Sequence, residues 1–394
     1  MSGIKYIKPF DGLRGIGALF ILSYHWPGKI INISHGWEFM QLFFVMSGYL
    51  ITKVLLEEKE KFDFKKYALR FYYKRSIRLF PLYFIYLFLG IALYLVIPAH
   101  LKEIKYMTSE VYAYAGYLFT YTYNFMSFVH FLQDKSYVSG FLTTHLWTLS
   151  LEEQFYLLFP FLVFFLSLKN LRRCILLAIV LAPVFRVLFY FWAKQHNPDD
   201  QFWIAQNMVR LPWNQMDSLA FGALLAVYPF ENIKRPLRLY IYFTVMIIAI
   251  YAINILYTRY VQGIEDYTLT FGKKLAENWI IHNYLFVYLI TLVNAWCMLT
   301  LLTIIKGYRW TAVLENKWLV YIGRRSYAVY LFHLPILFVY LILINTLLPM
   351  RNKWFSYLFE IPLFICFILV VLLIANFFGK YVEAYFMKFK NRLS

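Results

Sequence analysis

Two ionisable side chains inside the first apolar run of the sequence could do chemistry. Arg14 and His25 are eleven residues apart, so a helix would place both on one face, with His25 about 16 Å deeper than Arg14. Arginine can hold an anionic group, and neutral histidine can accept a proton. The spacing favours a polar path along this helix face, and the alternative is a structural contact that locks helices together.

Two arginines, Arg75 and Arg78, stand at the start of the third apolar run. Residues three apart share one helix face, and two guanidinium groups on one face would suit a phosphate-rich ligand. The alternative is that both side chains reach for anionic lipid headgroups and only set the topology.

Two adjacent carboxylates, Glu152 and Glu153, lie in the fifth apolar run. They would point about 100° apart on a helix, so each needs its own partner. At about 1.5 Å per residue, His25, Glu153, Asp217 and His333 reach depths within roughly 12 Å of one another. These depths predict that four helices line a common cavity, although depth does not fix the direction in which a side chain points.

The elements that must position these residues are membrane-spanning helices. Of the 394 residues, 61% are apolar and only 15% are charged, which excludes a soluble domain of this size. Eleven apolar runs could cross the bilayer, but residues 111–132 are broken by polar side chains and are predicted to be re-entrant or interfacial. The predicted fold class is all-α: a polytopic integral membrane helix bundle of about ten transmembrane helices, which include residues 12–26 and 208–230.

The basic residues indicate orientation. A net charge of +18 could suggest nucleic acid, but with ten crossings most of the 39 lysines and arginines fall in the loops of one side, which is predicted to be cytoplasmic. Both termini would then be cytoplasmic in a multi-pass protein of the inner (cytoplasmic) membrane, with no nucleic-acid partner. No internal repeat or soluble appendage is visible, so residues 1–394 are predicted to form a single membrane-embedded domain.

Several kinds of site have no signature in the sequence. No histidines have metal-ligand spacing, so no metal is expected. A phosphate-binding glycine loop, a Gly-x-Ser-x-Gly elbow and a dinucleotide fingerprint are also missing. ATP-driven transport and serine hydrolase chemistry therefore have no visible machinery.

Five motifs, in this order along the chain, resemble the signatures of the acyltransferase-3 family of bacterial integral-membrane O-acyltransferases. They are Phe10-Asp-Gly-Leu-Arg14-Gly leading to His25, Leu42-Phe-Phe-Val-Met-Ser-Gly-Tyr-Leu-Ile-Thr52, Arg75-Ser-Ile-Arg78-Leu-Phe-Pro81, His145-Leu-Trp147-Thr-Leu-Ser-Leu-Glu152-Glu153-Gln-Phe-Tyr156 and Ser326-Tyr-Ala-Val-Tyr330-Leu-Phe-His333. Residues 217–222 are only loosely similar. The resemblance extends from Phe10 to about Phe378.

The resemblance implies transfer of an acyl group, most commonly acetyl, from cytoplasmic acyl-coenzyme A to a hydroxyl of a cell-envelope or exported polysaccharide or glycoconjugate. Acetyl-coenzyme A or another acyl-coenzyme A would be a donor substrate, and no permanently bound cofactor is expected. Some relatives carry a fused extracytoplasmic esterase-like domain. This chain is expected to lack one, so that the membrane domain itself or a separate partner would complete the transfer.

Roles for individual residues follow from this implied reaction. His25 is predicted to be the general base, or alternatively a transient acyl carrier, with Glu152 or Glu153 orienting it and tuning its basicity. Arg14 is predicted to contribute to catalysis and, with Arg75 and Arg78, to hold the donor phosphates. Residues predicted to contact the substrate are Asp217, His145, Trp147, Tyr330 and His333.

Two other function classes stay open from the sequence. A secondary transporter or glycan flippase could use intramembrane Arg, His and Glu as a proton relay, although no corresponding pair of broken helices is visible. A sensor or scaffold without activity would not need the arginine, histidine and glutamate motifs. The acceptor, the acyl chain length and the oligomeric state are not encoded in any readable motif.

Overall fold

The structure, a computed structural model, describes residues 6–28, 30–31, 36–98, 100–133, 141–260, 285–347 and 353–390. These residues form α-helices and short helical turns, with no β-strand among them. The helices are α1 (Lys8–His25), α2 (Gly36–Lys59), α3 (Phe64–Val96), α4 (Lys102–Ala113), α5 (Ala115–Phe119), α6 (Met126–Leu132), α7 (Trp147–Phe165), α8 (Leu168–His196), α9 (Gln201–Arg210), α10 (Pro212–Val227), α11 (Pro236–Tyr260), α12 (Leu285–Ile305), α13 (Lys317–Arg324), α14 (Ser326–Leu347), α15 (Lys353–Phe378) and α16 (Ala384–Met387). The predicted all-α class is confirmed.

The chain divides into two compact units, each built from separate stretches of sequence. Unit 1 comprises residues 1–58 and 161–324, and unit 2 comprises residues 59–160 and 325–394. Of the predicted site residues, Arg14, His25 and Asp217 belong to unit 1, whereas Arg75, Arg78, His145, Trp147, Glu152, Glu153, Tyr330 and His333 belong to unit 2.

Eight helices of the described residues are long and apolar enough to cross a membrane. The prediction of a multi-pass membrane protein is therefore confirmed. Of the runs predicted to cross, residues 12–26 lie in α1 except for the last, and α1 has only 18 residues and carries Lys8, Asp11 and Arg14. Three charged groups in so short a helix are expensive in hydrocarbon, so α1 is not among the eight.

The run at residues 208–230 is not the continuous helix that the sequence analysis predicted. Helix α9 ends at Arg210, and α10 begins at Pro212 and has 16 residues. The break has a local cause, because proline disfavours the helical conformation in the preceding residue, and Leu211 is extended at φ −74° and ψ 134°. Proline itself suits the first position of the new helix.

Residues 111–132 contain the end of α4, all of α5 and α6, and a short 3₁₀ turn. The chain bends sharply at Tyr121, which has a left-handed φ of 52°. This arrangement agrees with the prediction that the segment does not cross as one helix. Its depth in the bilayer stays a prediction.

Helix α3 is the longest described helix, at 33 residues. It begins at an N-cap made by Asp63, whose side chain accepts a hydrogen bond of 3.3 Å from the Lys66 amide. Its length of about 50 Å exceeds the roughly 30 Å of a hydrocarbon core, so one end extends beyond the apolar layer. Arg75 and Arg78 lie in the N-terminal half of this helix.

Candidate functional site

In unit 1, Arg14 is held by a carboxylate one helical turn earlier. Asp11 is 7% exposed, and its two oxygens receive hydrogen bonds from Tyr6 at 2.6 Å and from Arg14 at 3.0 Å. Arg324 of α13 approaches the same carboxylate at 3.4 Å and also donates to the Tyr6 hydroxyl at 3.0 Å. Asp11 is not among the site residues predicted from the sequence, although an acid three residues before an arginine on a helix is a recognisable pairing signal.

Backbone contact between α1 and the segment around α13 fixes this cluster. A Cβ atom added to Gly12 would lie 1.7 Å from the carbonyl oxygen of Leu314, and one added to Gly323 would lie 1.7 Å from the carbonyl oxygen of Asp11. Only glycine permits such an approach, as in the small-residue interfaces of membrane helices. The glycines therefore bring Arg324, the next residue after Gly323, against Asp11.

His25 is the last residue of α1 and is half-buried. Its ring stands edge-on to that of Tyr24, with 5.1 Å between the ring centres. The amide of Trp26 closes the helix on the carbonyls of Leu22 and Ser23, at 3.1 Å each. The prediction that Arg14 and His25 share one helix is confirmed, because α1 runs unbroken between them.

Asp217 forms a buried ion pair in unit 1. Its carboxylate accepts a very short hydrogen bond from Arg186 of α8, and both side chains are 0% exposed. Thr291 of α12 donates to the same oxygen at 2.7 Å and accepts from Arg186 at 3.1 Å. These contacts are those of a pair that locks three helices together. Contact between Asp217 and a substrate stays a prediction.

In unit 2, three of the predicted substrate contacts come together. The ring centres of His145 and His333 are 5.2 Å apart, as are those of His145 and Tyr330. His145 Nε2 is 3.2 Å from the Leu331 carbonyl, and His333 Nδ1 is 2.6 Å from the Tyr330 carbonyl. Those contacts assign a proton to each of these nitrogens. Trp147, 7% exposed, is close to His145 in sequence.

Among the described residues, His145 and His333 have no third metal-ligating side chain beside them. Throughout the residues that the structure describes, no three His, Cys, Asp or Glu side chains come together in a way that could hold a metal ion. The imidazole of His145, beside Tyr330 and His333, instead offers a hydrogen-bonding group to a polar ligand.

Arg75 lies in a mixed aromatic and charged environment in unit 2. Its guanidinium is 5.1 Å from the centre of the Tyr156 ring on α7, and Glu152, Glu153 and Arg78 act on it electrostatically. It is half-buried, whereas Arg78 is exposed. Across the described ranges, neither arginine forms a salt bridge with a carboxylate. Both cations are therefore available to an anionic ligand.

The residue after Glu153 fixes the sharp bend at residue 121. Gln154 donates from Nε2 to the Tyr121 carbonyl at 2.8 Å and to Asn124 Oδ1 at 2.8 Å, and it accepts from Asn124 at 3.2 Å. The Tyr121 ring stacks on Tyr83, with 4.5 Å between the ring centres. Helix α7 thus anchors the bend through the side chain next to its paired carboxylates.

Comparison with known proteins gives a consistent family. The family model described as "Acyltransferase domain" matches residues 7–380. The chain is similar to O-acetyltransferase OatA of Staphylococcus aureus (strain NCTC 8325 / PS 47), at 25% identity over 86% of this chain and 51% of that relative. It is also similar to peptidoglycan O-acetyltransferase OatA of Listeria monocytogenes serovar 1/2a, at 27% identity over 84% of this chain and 50% of the relative.

The chain thus spans about half the length of these relatives. No solved structure matches it.

Proposed function

The chain belongs to the acyltransferase domain family over residues 7–380, and on that premise we propose that it is a membrane O-acetyltransferase acting on a cell-envelope polymer. The family match is the observation that carries the proposal. Eight membrane-capable helices support catalysis within a bilayer, and the relatives named O-acetyltransferase and peptidoglycan O-acetyltransferase support the acetyl group and a cell-wall glycan acceptor.

The donor is acetyl-coenzyme A, and Arg75 and Arg78 bind its phosphates. Guanidinium groups match phosphate oxygens in charge and geometry, and neither arginine forms a salt bridge with a carboxylate among the residues described in unit 2. Glu152 and Glu153 act on Arg75 electrostatically, and Glu383 acts on Arg78, without direct ion pairing. Tyr156 supports the Arg75 guanidinium from one face at 5.1 Å. Arg14 remains a predicted donor contact, and Asp11 already holds its guanidinium.

His25 acts as the general base. The acceptor hydroxyl gives its proton to the imidazole as its oxygen attacks the thioester carbonyl carbon, and the C–O bond forms while the C–S bond breaks. The imidazolium then returns the proton to the departing thiolate, which restores the neutral histidine. Its carboxylate partner stays the prediction from the sequence, Glu152 or Glu153.

The acceptor is bound in part by the cluster of His145, Tyr330 and His333. His145 is 4% exposed, and its Nδ1 has no hydrogen-bond partner among the described residues. That nitrogen can accept a hydrogen bond from a sugar hydroxyl. Trp147 and Asp217 stay predicted contacts. The donor enters from the cytoplasmic side of the inner membrane, where the basic loops and both termini are predicted to lie.

The proposal is tested with the purified full chain in lipid vesicles, supplied with radiolabelled acetyl-coenzyme A and soluble peptidoglycan fragments. Label that moves to the glycan and is released from it by mild base identifies an O-acetyl ester. A protein that moves the fragments across the vesicle membrane without labelling them would be a transporter, and that result would overturn the proposal.

A further inference from the structure

The last turn of the described chain is fixed against the basic half of α3. Beyond α15 the chain continues through a π-helical turn (Gly379–Glu383) into α16. The hydroxyl of Tyr73 on α3 then donates a hydrogen bond of 3.1 Å to the carbonyl of Phe389. Lys390 is therefore held next to α3, and it lies beyond residues 7–380, which the family model matches.

Lys390 joins a group of positive charges. It is exposed, and its charged neighbours on α3 are Lys74, Arg75 and Arg78. Partial burial of its ammonium group, followed by the charges of Arg78, Lys74 and Arg75, lowers the pKa of Lys390. Lys390 has no salt bridge within the described part of the chain. Like charges gathered in this way repel one another, and Glu383, which acts on Arg78, offsets only part of that repulsion. A bound anion would relieve the rest.

The cations of this group differ in exposure, so the group has a half-buried inner end and an exposed outer end. Arg75 is half-buried and interacts electrostatically with Glu152 and Glu153, whereas Arg78 and Lys390 are exposed. If a nucleotide thioester binds with its reactive end inward, its diphosphate would contact Arg75 and Arg78. The phosphate most distant from the thioester would then lie at the exposed rim of the group.

We propose that Lys390 binds the 3′-phosphate of the coenzyme A donor and so completes a phosphate site whose inner part is Arg75 and Arg78. The inference rests on the proposed function for the identity of the donor. An ammonium group can recognise a phosphate ester of the donor or one of a lipid headgroup by the same chemistry. The lipid headgroup is therefore the alternative source of the phosphate that the experiment must separate.

The kinetic test compares Lys390→Gln with Lys388→Gln in the full chain. Lys388 is a matched control, because it is exposed, two residues away, and lies 5.9 Å from the centre of the Tyr385 ring. For Lys390→Gln we expect the KM for acetyl-coenzyme A to rise about tenfold with kcat unchanged, since one charge-assisted contact is lost. With acetyl-3′-dephospho-coenzyme A the variant and the wild type should have the same KM, and Lys388→Gln should match the wild type with both donors.

Two further arms separate the possible outcomes. The kinetics are repeated in vesicles of phosphatidylcholine alone and with phosphatidylglycerol, and an effect seen only with phosphatidylglycerol would assign Lys390 to a headgroup. Equilibrium binding of adenosine 3′,5′-bisphosphate is measured without any transfer reaction. Equal binding by wild type and Lys390→Gln would overturn the inference, whereas a wild type that binds the probe but does not transfer acetyl would overturn only the proposed function.

Discussion

Two arginines, one in each unit, differ in whether they form a direct ion pair. Arg186 in unit 1 is 0% exposed and is paired with Asp217, which a threonine hydroxyl also contacts. Arg75 in unit 2 is half-buried against the ring of Tyr156 and forms no salt bridge among the described residues. A buried pair that satisfies itself holds helices together, whereas a supported but unpaired cation is ready for an anion from outside the protein.

The largest effect is expected where the internal pair is broken. Asp217→Ala leaves the Arg186 guanidinium buried without its carboxylate, and we expect the free energy of unfolding to fall by about 3–5 kcal/mol. Reversible unfolding of the purified protein in detergent measures the loss. The double variant with Arg186→Met and Asp217→Leu removes both charges and should recover most of the stability. If Asp217→Ala were as stable as the wild type, the pair would not lock the helices.

His25→Ala should affect activity and leave stability unchanged. Removing a general base costs about 10²–10⁴-fold in rate, so we expect kcat to fall by about 10³-fold. The half-buried position of His25 at the end of α1 makes the change tolerable for folding. Acetyl transfer and a melting curve are measured on the same preparation. Undiminished transfer would remove His25 from the mechanism.

Replacing both Arg75 and Arg78 with Gln should weaken donor binding without loss of stability. Each lost charge-assisted contact is worth about 1.5 kcal/mol, which gives about a 100-fold rise in the KM for acetyl-coenzyme A. We expect this double variant to keep a melting temperature close to that of the wild type, whereas Asp217→Ala should lose stability. An unchanged KM would favour the alternative in which these arginines only anchor lipid headgroups.

The smallest effect on stability is expected from replacing Thr291, whose hydroxyl contacts both residues of the buried ion pair. Thr291→Val keeps the side-chain volume but removes the hydrogen bond of 2.7 Å to Asp217 and the one of 3.1 Å from Arg186. The free energy of unfolding should fall by about 1 kcal/mol, and the KM for the donor should not change. A raised KM in this variant would indicate that the ion pair of unit 1 also takes part in donor binding.

Composition and apolar run lengths were sufficient to predict an all-α, multi-pass protein, because the requirement to satisfy the backbone within lipid leaves few other folds. The break before α10 was missed although the sequence carries its signal, since Pro212 makes a helical Leu211 unfavourable. The length of the apolar run contains no information on this local break.

The side-chain pairings were less predictable. Depth along the membrane normal placed Asp217 near other ionisable residues but contained no information on the direction of its side chain, so the partnership with Arg186 was not foreseen. The contact of Arg324 with Asp11 joins residues 313 apart in sequence, and no local pattern encodes it. By contrast, His145 and His333, whose ring centres are 5.2 Å apart, both belong to motifs that carry the family resemblance. Their contact with a substrate stays a prediction.

The central claim is that the unpaired cations of unit 2 form the donor phosphate site. Calorimetric titration of coenzyme A into the wild type, into the double variant of Arg75→Gln with Arg78→Gln, and into a control with Arg173→Gln and Arg238→Gln tests it most directly. The control removes two exposed arginines from unit 1 and the same total charge. The account predicts about 100-fold weaker binding by the first variant and unchanged binding by the control. Equal weakening in both variants, or none in either, would contradict it.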